Sequence, residues 1–160
     1  VYKSQVVTQN IDCIHRAAGS SEYLLVEVHG TGNLVECQTC DHREPPQPSF
    51  DYFKRERKCP RCECGGFLKP ATISFGQNLR EADLKRAFAA AESCDLVIAL
   101  GSTLSVSPAN AIPLAATRNS VPYIIINRGE TEHDGDSTVT LRLKGDVSDI
   151  FPPAVESILS

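Results

Sequence analysis

Residues 5–12 read QVVTQNID, a short apolar run that leads directly into polar side chains. Val6 and Val7 predict a buried strand, and Gln9, Asn10 and Asp12 follow at the point where that strand ends. A buried amide or carboxylate without a partner is costly, so these groups need partners from the fold or from a ligand. The other predicted strands help to decide whether the fold or a ligand supplies these partners.

Apolar runs alternate with helical patterns along most of the chain. Strands are predicted at residues 6–8, 23–30, 95–101, 122–127 and 138–145. Strands separated by helices indicate an α/β fold with a parallel sheet and crossover connections, in which ligands bind beyond the carboxyl ends of the strands. The polar clusters TQNID, VHG, GSTLS and INRGE all lie at predicted strand ends. This pattern favours ligand-facing amides over purely structural ones.

The sequence also predicts the burial of individual strands and the positions of the helices. The near-continuous apolar run at 95–101 predicts a strand covered on both faces, and the alternating run at 138–145 predicts an edge strand. Four helices are expected: a short one after Asp12, one with its buried face formed around Leu84 and Ala87, one near Pro108 that Pro113 delays or kinks, and a last one entered through Pro152-Pro153.

Length and charge limit the classes of function. The 160 residues fit one domain with a small inserted module, and their net charge is −4. The basic run KRERK at 54–58 is interpreted as a solvated loop, so direct nucleic-acid binding is not expected. No apolar run is long enough to span a membrane. Because the chain starts with Val and contains no Met, we expect it to be the later part of a longer protein.

Seven cysteines without a secretory signal favour metal binding or free thiols in a reducing compartment, hence a cytoplasmic protein, or a nuclear one if the source is eukaryotic. Two C-x2-C pairs, Cys37 with Cys40 and Cys59 with Cys62, have the spacing of a zinc ribbon. Four thiolates would close the coordination shell, so the Zn²⁺ is expected to be structural. Cys64 is an alternative fourth ligand.

Taken together, these clusters resemble the sirtuin family of NAD-dependent protein lysine deacylases. The resemblance rests on TQNIDCIHRAAG, VEVHG, the cysteine module, CGGFLKPATISFGQNL, GSTLSVSPA and IIIN, which occur in the order found in that family. It implies a Rossmann-like NAD-binding domain formed by residues 1–33 and 69–160, with a zinc-binding module at 34–68. The glycine-rich phosphate loop that begins the family pattern is not in this chain.

The resemblance also implies roles for residues. His29 would be the catalytic base, since histidine rings exchange protons near neutral pH. NAD would be bound through Gln9, Asn10, Ile11, Asp12, Gly101, Ser102, Thr103, Asn127, Gly145 and Val147. The acyl-lysine substrate would be bound through Ile73, Phe75 and Gly76. Without the resemblance, Asp12 is equally well explained as the cap of the helix that follows it.

The implied function is that of an NAD-dependent protein deacetylase, a transferase that moves the acyl group of lysine to ADP-ribose and releases nicotinamide. The expected partner is an acyl-lysine protein or peptide, with no membrane. One alternative is an NAD-binding sensor or scaffold without turnover. Another is a related NAD hydrolase or ADP-ribosyltransferase.

Overall fold

The computed structural model describes residues 4–159. It contains two compact units, one extending through Asp83 and the other beginning at Leu84. Each unit has its own parallel strands. No helix among residues 4–159 combines the length and the apolar character needed to cross a bilayer.

The first unit begins with a pair of short parallel strands, β1 (Val6–Thr8) and β2 (Leu25–Glu27), connected through the four-residue helix α1 (Ile14–Ala17). Val6 pairs with Leu25 and Thr8 with Glu27. Leu25 and Val26 are buried, so the pair is anchored by β2 while its carboxyl ends carry the polar residues.

A three-stranded antiparallel sheet completes the first unit. Its strands, in the order β4-β3-β5, are β3 (Gly30–Cys37), β4 (Arg43–Glu44) and β5 (Leu68–Thr72), and the helix α2 (Pro46–Glu56) lies between β4 and β5 in the chain. Val35, Cys37 and Leu68 form a buried cluster against which Cys62 packs.

The second unit contains a parallel sheet of order β6-β7-β8, made of β6 (Val97–Leu100), β7 (Tyr123–Asn127) and β8 (Leu141–Lys144). Its helices are α3 (Glu81–Glu92), which begins just before the division between the units, α4 (Ala111–Thr117) and α5 (Val147–Leu159). Tyr123 and Ile125 are fully buried and pack with Leu104, so the central strand β7 forms the core of this unit.

Most predicted elements are present, and the α/β, Rossmann-like class is confirmed. The last predicted strand is indeed at an edge of its sheet. The strand at 95–101 is not covered on both faces as predicted: Val97 to Ala99 are half-buried and Leu100 is 38% exposed. The reason is that β6 is also an edge strand, with β7 as its one neighbour among the described residues.

Two helices differ from the sequence prediction and a third agrees with it. The run at 54–58 is exposed but only its last two residues lie in a loop, because Lys54 to Glu56 form the last turn of α2. Helix α5 begins at Val147, upstream of its two prolines, because the carboxylate of Asp146 accepts hydrogen bonds from the backbone N–H and hydroxyl of Ser148. Helix α4 starts at Ala111, later than Pro108, so the predicted delay by Pro113 is confirmed: this proline lies in the first turn, where no N–H is needed.

Gly30 determines how closely β3 approaches β5. Its φ of 78° is in the left-handed region, and a Cβ added there would lie 2.2 Å from the carbonyl oxygen of Ala71. We expect Gly30→Ala to lower the free energy of unfolding by roughly 2–5 kcal/mol, because it adds backbone strain to a steric clash.

Urea unfolding followed by circular dichroism measures this loss. Gly19→Ala is the matched control, since Gly19 has a φ of 84° in the same unit but no atom within 4 Å of the added Cβ. Equal losses for the two variants would contradict the steric explanation.

His133 makes the second unit sensitive to acid. Its Nδ1 lies 2.9 Å from the hydroxyl oxygen of the fully buried Tyr123, and His133 itself is 5% exposed. Burial lowers the pKa of His133, although Asp136 and Glu132 act in the opposite direction. The unfolded chain then binds a proton more readily than the folded one, so stability is lost as the pH falls below about 6.5.

The urea midpoint, measured between about pH 7.5 and pH 5.5, is therefore expected to fall with pH, and His133→Asn is expected to flatten that slope. Asn keeps a polar group near the Tyr123 hydroxyl but does not titrate. A slope that is the same in the variant would show that His133 is not the responsible group.

Candidate functional site

His29 lies at the end of the β1–β2 pair, between β2 and β3, and is held on both sides by hydrogen bonds. Its ring Nδ1 is 3.1 Å from the carbonyl oxygen of Gln9, and its own carbonyl accepts the N–H of Ile73 at 2.8 Å. A carbonyl only accepts, so Nδ1 carries the proton in this arrangement. The unprotonated Nε2 of the half-buried ring is left to accept a proton.

The polar residues after β1 form a turn around this histidine. Asn10 donates its N–H to the hydroxyl of Thr8 at 3.0 Å, and the carbonyl of Ile11 accepts the N–H of Gly32 at 3.0 Å. The side-chain amide of Asn10 is exposed and has no hydrogen-bond partner within residues 4–159. Thr8 is buried and shapes this turn, a role that was not predicted; its position as the last residue of the strand was the available signal.

Asp12 has the structural role that the sequence left open. Its Oδ1 accepts the backbone N–H of Ile14, the first residue of α1, at 3.0 Å. This hydrogen bond uses one carboxylate oxygen, and Oδ2 of the exposed side chain has no hydrogen-bond partner within residues 4–159. The side chain is therefore free to accept a second donor from a ligand.

The predicted substrate residues follow β5. Ile73 is half-buried and is bonded through its N–H to the carbonyl of His29. Phe75 is fully exposed, and Gly76 has a φ of 83° within a turn that is closed by hydrogen bonds between Ser74 and Gln77. The structure thus brings Ile73 next to His29 and presents an aromatic ring on a short exposed turn.

In the second unit, the carboxyl ends of the three parallel strands bring four of the predicted residues together. Gly101 donates its N–H to Ile126 at 3.0 Å, and Gly145 donates to the carbonyl of Asn127 at 3.2 Å. A Cβ on Gly101, whose φ is 61°, would lie 3.7 Å from a methyl group of Val147. Gly101, Asn127, Gly145 and Val147 therefore share one end of this sheet.

The loop after β6 carries exposed or half-exposed hydroxyl groups. Ser102 Oγ accepts the N–H of Leu104 at 3.1 Å, and Thr103 Oγ1 lies 2.8 Å from Ser105 Oγ. Hydroxyl groups and a glycine at a parallel strand end suit the phosphates or ribose of a nucleotide.

Charged groups flank the same strand ends. Arg142 donates to the carbonyls of Asn127 and Gly129 and to the carboxylate of Asp134. Hydrogen bonds from Ser148 and the nearby guanidinium of Arg128 hold the pKa of Asp146 at about 2. Neither arginine is among the residues predicted from the sequence, because isolated charges on a strand or loop carry no distinctive pattern.

Four cysteine sulfurs converge beside the β3–β5 sheet. The Sγ atoms of Cys37, Cys40, Cys62 and Cys64 all lie within 4.8 Å of one another. The Cys37–Cys64 distance is 3.5 Å and the Cys40–Cys62 distance is 3.7 Å, far longer than the ~2.05 Å of a disulfide bond. A tetrahedron with zinc–sulfur bonds of about 2.3 Å has sulfur–sulfur edges of about 3.8 Å. The donor set therefore fits Zn²⁺ in type, number and spacing.

Electrostatics within the cluster also fit a bound cation. Backbone N–H groups of Cys40 and Thr39 lower the pKa of Cys37 to about 6. The N–H of His42 acts to lower the pKa of Cys40, but the sulfurs of Cys64 and Cys37 outweigh it and raise that pKa to about 12. The thiol of Cys37 therefore loses its proton more easily than the thiol of Cys40. This difference is expected for closely spaced sulfurs, because their negative charges repel one another when no metal ion is bound.

The membership of the cluster corrects the predicted ligand set. Cys64, the alternative fourth ligand, belongs to the cluster, whereas Cys59 lies outside it and is exposed. The cause is a tight turn in which Gly65 donates to the carbonyl of Cys62 and Cys62 donates to that of Gly66. This turn returns the chain so that both Cys62 and Cys64 face Cys37 and Cys40.

Gly66 is required by the same packing. A Cβ at this position would lie 2.6 Å from the sulfur of Cys37 and 2.6 Å from the hydroxyl of Thr39. The Gly-Gly pair after Cys64 was the sequence signal for this arrangement, and it was outweighed by the regular spacing of Cys59 and Cys62.

Comparison with known proteins gives a consistent result. The model of the Sir2 family matches residues 2–108. The chain is 42% identical over 144 residues to NAD-dependent protein deacetylase 1 of Geobacillus kaustophilus. The aligned region covers 89% of this chain and 56% of that protein. It is 40% identical to the NAD-dependent protein deacetylase of Oceanobacillus iheyensis, over 85% of this chain and 54% of that protein. The chain thus spans a little over half the length of these relatives.

Solved Sir2 structures are similar to this chain as well. A Sir2Tm structure bound to a propionylated peptide superposes with a TM-score of 0.85 at 31% identity, covering 96% of this chain and 63% of that one. A complex of Sir2 with a p53 peptide and NAD+ gives a TM-score of 0.85 at 32% identity. The match covers 98% of this chain and 64% of that one. Sequence and structure together establish that the chain belongs to the Sir2, or sirtuin, family.

Proposed function

We propose that the protein to which this chain belongs is an NAD-dependent protein lysine deacylase that removes acetyl groups. The observation that carries this proposal is the position of His29, a half-buried base at a parallel strand end with Nδ1 oriented by the carbonyl of Gln9. Its relatives in Geobacillus kaustophilus and Oceanobacillus iheyensis are NAD-dependent protein deacetylases, and a related Sir2 structure contains an acetylated peptide.

NAD would supply an activated ribose carbon, from which nicotinamide leaves, as the acceptor of the acyl oxygen. His29 Nε2 would take the proton from a ribose hydroxyl, and the Gln9 carbonyl would stabilise the imidazolium that forms. Because the orienting partner is a main-chain carbonyl fixed by the β1 turn, the ring needs little reorganisation when it accepts the proton.

Each unit would contribute to NAD binding through the residues at its own strand ends. In the first unit, Gln9 and Asn10 would contact ribose hydroxyls, while Ile11 and the free oxygen of Asp12 would hold the carboxamide. In the second unit, the hydroxyl loop after β6 would bind phosphate or ribose, and Asn127 the adenosine ribose. The backbone around Gly145 and Val147 would contact the adenine.

The acyl-lysine peptide would bind along the segment that follows β5. The exposed Phe75 ring and the half-buried Ile73 offer apolar surface to an acyl-lysine stem, and Gly76 leaves room for a peptide backbone. Pairing through main-chain hydrogen bonds would make binding weakly dependent on the substrate sequence.

We also propose that Zn²⁺ is bound by Cys37, Cys40, Cys62 and Cys64 and has a structural role. Four thiolates leave no open coordination position for water or substrate. Residues 34–68 would then form a zinc-binding module, with the remainder of the chain forming the NAD-binding domain. The seven cysteines, all free of disulfide bonds, support a reducing location such as the cytoplasm.

Deacetylation is tested with the longest natural chain that contains this sequence, an acetyl-lysine peptide and NAD. We expect loss of the acetyl group only when NAD is present, and His29→Ala is expected to lower kcat/KM by about 10²–10⁴-fold. Mass spectrometry measures the peptide, and a thermal melt verifies that the variant is folded.

The control is His42→Ala, which changes an exposed histidine outside the thiol cluster. It is expected to retain activity. Full activity of His29→Ala would refute the assignment of the base, and deacetylation without NAD would refute the proposed reaction.

The zinc site is tested by two cysteine variants. Cys64→Ser is expected to lose most of the bound zinc and to unfold the module, whereas Cys59→Ser is expected to keep one Zn²⁺ per chain. Elemental analysis after dialysis against a weak chelator measures the metal content. Loss of zinc from Cys59→Ser, with zinc retained in Cys64→Ser, would reverse the assignment.

A further inference from the structure

A cleft on the first unit has no role in the proposed reaction. It has a volume of about 630 Å³ and lies between α2 and the segment that leads from Lys58 to the last two cysteines of the cluster. Its walls include Tyr52 from α2, Lys58 and Arg61 from the segment, and Phe67 and Leu68 at the start of β5. All of these residues belong to the first unit.

The cleft has an apolar floor and aromatic edges. Leu68 is buried at its base, while Phe67 is 50% exposed and Tyr52 is 36% exposed. The guanidinium of Arg61 lies 3.9 Å from the centre of the Phe67 ring, and its Nη1 donates to the carbonyl of Gly65 at 2.6 Å. These two contacts hold a positive charge at the rim of the cleft.

Positive charge is concentrated around this cleft although the whole chain is acidic. Residues 54–61 contain five basic side chains and one acidic side chain, a local net charge of +4 in a chain whose net charge is −4. Arg55 pairs with Glu56 at 2.7 Å. Within residues 4–159, no carboxylate is paired with Lys54, Arg57, Lys58 or Arg61.

The one acidic group in the wall is already engaged. Glu44 accepts the hydroxyl of the buried Ser49 at 3.2 Å and lies 3.7 Å from His42. It forms no ion pair with Lys58 or Arg61 of the rim. The cleft therefore combines an apolar pocket for one side chain with unpaired cations that complement carboxylates.

We propose that this cleft is a docking site for an acidic peptide segment of a partner protein. One aromatic or aliphatic side chain would enter between Tyr52 and Phe67, and flanking Asp or Glu side chains would pair with Lys58, Arg61 and Arg57. A peptide fits better than a nucleic acid, because the floor is apolar and the remainder of the acidic chain repels a polyanion. Recognition here is separate from the NAD chemistry.

Fluorescence anisotropy tests the proposal in the absence of NAD. The protein is the zinc-loaded natural chain, and the probe is a labelled peptide with a central Leu flanked by Asp and Glu. We expect saturable binding that weakens at least about fivefold when salt is raised from about 0.05 M to about 0.3 M. A probe with Lys in place of each acid is expected not to bind.

Lys58→Glu is expected to weaken binding of the acidic probe at least about fivefold, because it reverses a charge on the cleft wall that makes no ion pair. Phe67→Ser is expected to weaken it through loss of the apolar contact. Arg118→Glu, an equal charge change at an exposed site in the second unit, is the matched control and is expected to bind normally. Zinc content confirms that each variant keeps the folded module.

The exposed thiol of Cys59 provides a local readout, since it lines the cleft and lies outside the thiol cluster. Bound acidic probe is expected to slow alkylation of Cys59 several-fold, as located by peptide mass spectrometry. Equal affinity of Lys58→Glu and the unaltered chain, or no protection of Cys59, would overturn the proposal. Tighter binding of an oligothymidylate than of the acidic peptide would also overturn it, in favour of a nucleic-acid surface.

Discussion

The close approach of β3 to β5 at Gly30 is the constraint on which the first unit depends. No side chain larger than hydrogen fits against the carbonyl of Ala71, and the backbone at Gly30 is left-handed. This contact sets the path of the chain at His29, the residue before it, whose carbonyl then accepts the N–H of Ile73. On the other side, the ring of His29 bonds to Gln9 at the end of β1. One glycine thus links the pairing of β3 with β5 to the orientation of one imidazole.

Much of this arrangement follows from the sequence, because strand ends are easy to recognise. Apolar runs that stop at TQNID, VHG, GSTLS and INRGE predicted where polar groups would collect, and the structure brings the predicted groups together within each unit. The buried strand β7 was the clearest case, with Tyr123 and Ile125 fully buried. The helix preceding β6 was also predicted correctly, since its alanines repeat with the helical period.

The errors arise where short-range chemistry overrides a pattern. Helix α2 was missed because its basic end at 54–58 was interpreted as a solvated loop; its Pro46 occupies the first turn, where no hydrogen-bonding N–H is required. Cys59 was preferred to Cys64 because its spacing from Cys62 is that of a zinc ribbon. Such spacing describes only the separation of residues along the chain. A tight Gly-Gly turn determines which sulfurs meet in space. The start of α5 depends on hydrogen bonds that Ser148 donates to the carboxylate of Asp146, and the two prolines further along the helix concealed this start.

Within the first unit, the thiol cluster and the strand ends have different physical roles. The cluster brings together segments distant in the chain, with Cys37 buried in the same apolar group as Val35 and Leu68. A metal ion held by all four sulfurs would offer no catalytic position, so the proposed chemistry belongs to His29 and the polar turn after β1. The basic cleft beside the cluster gives the same segment a surface that is available for recognition.

The most direct test of the central claim is the stoichiometry of the reaction. Nicotinamide released and lysine deacetylated would be counted in the same mixture of the natural full-length protein, NAD and acetyl-lysine peptide. The account predicts one nicotinamide for each acetyl group removed and negligible release without the peptide. Nicotinamide release that proceeds equally well without the peptide would contradict it and identify an NAD hydrolase or ADP-ribosyltransferase instead.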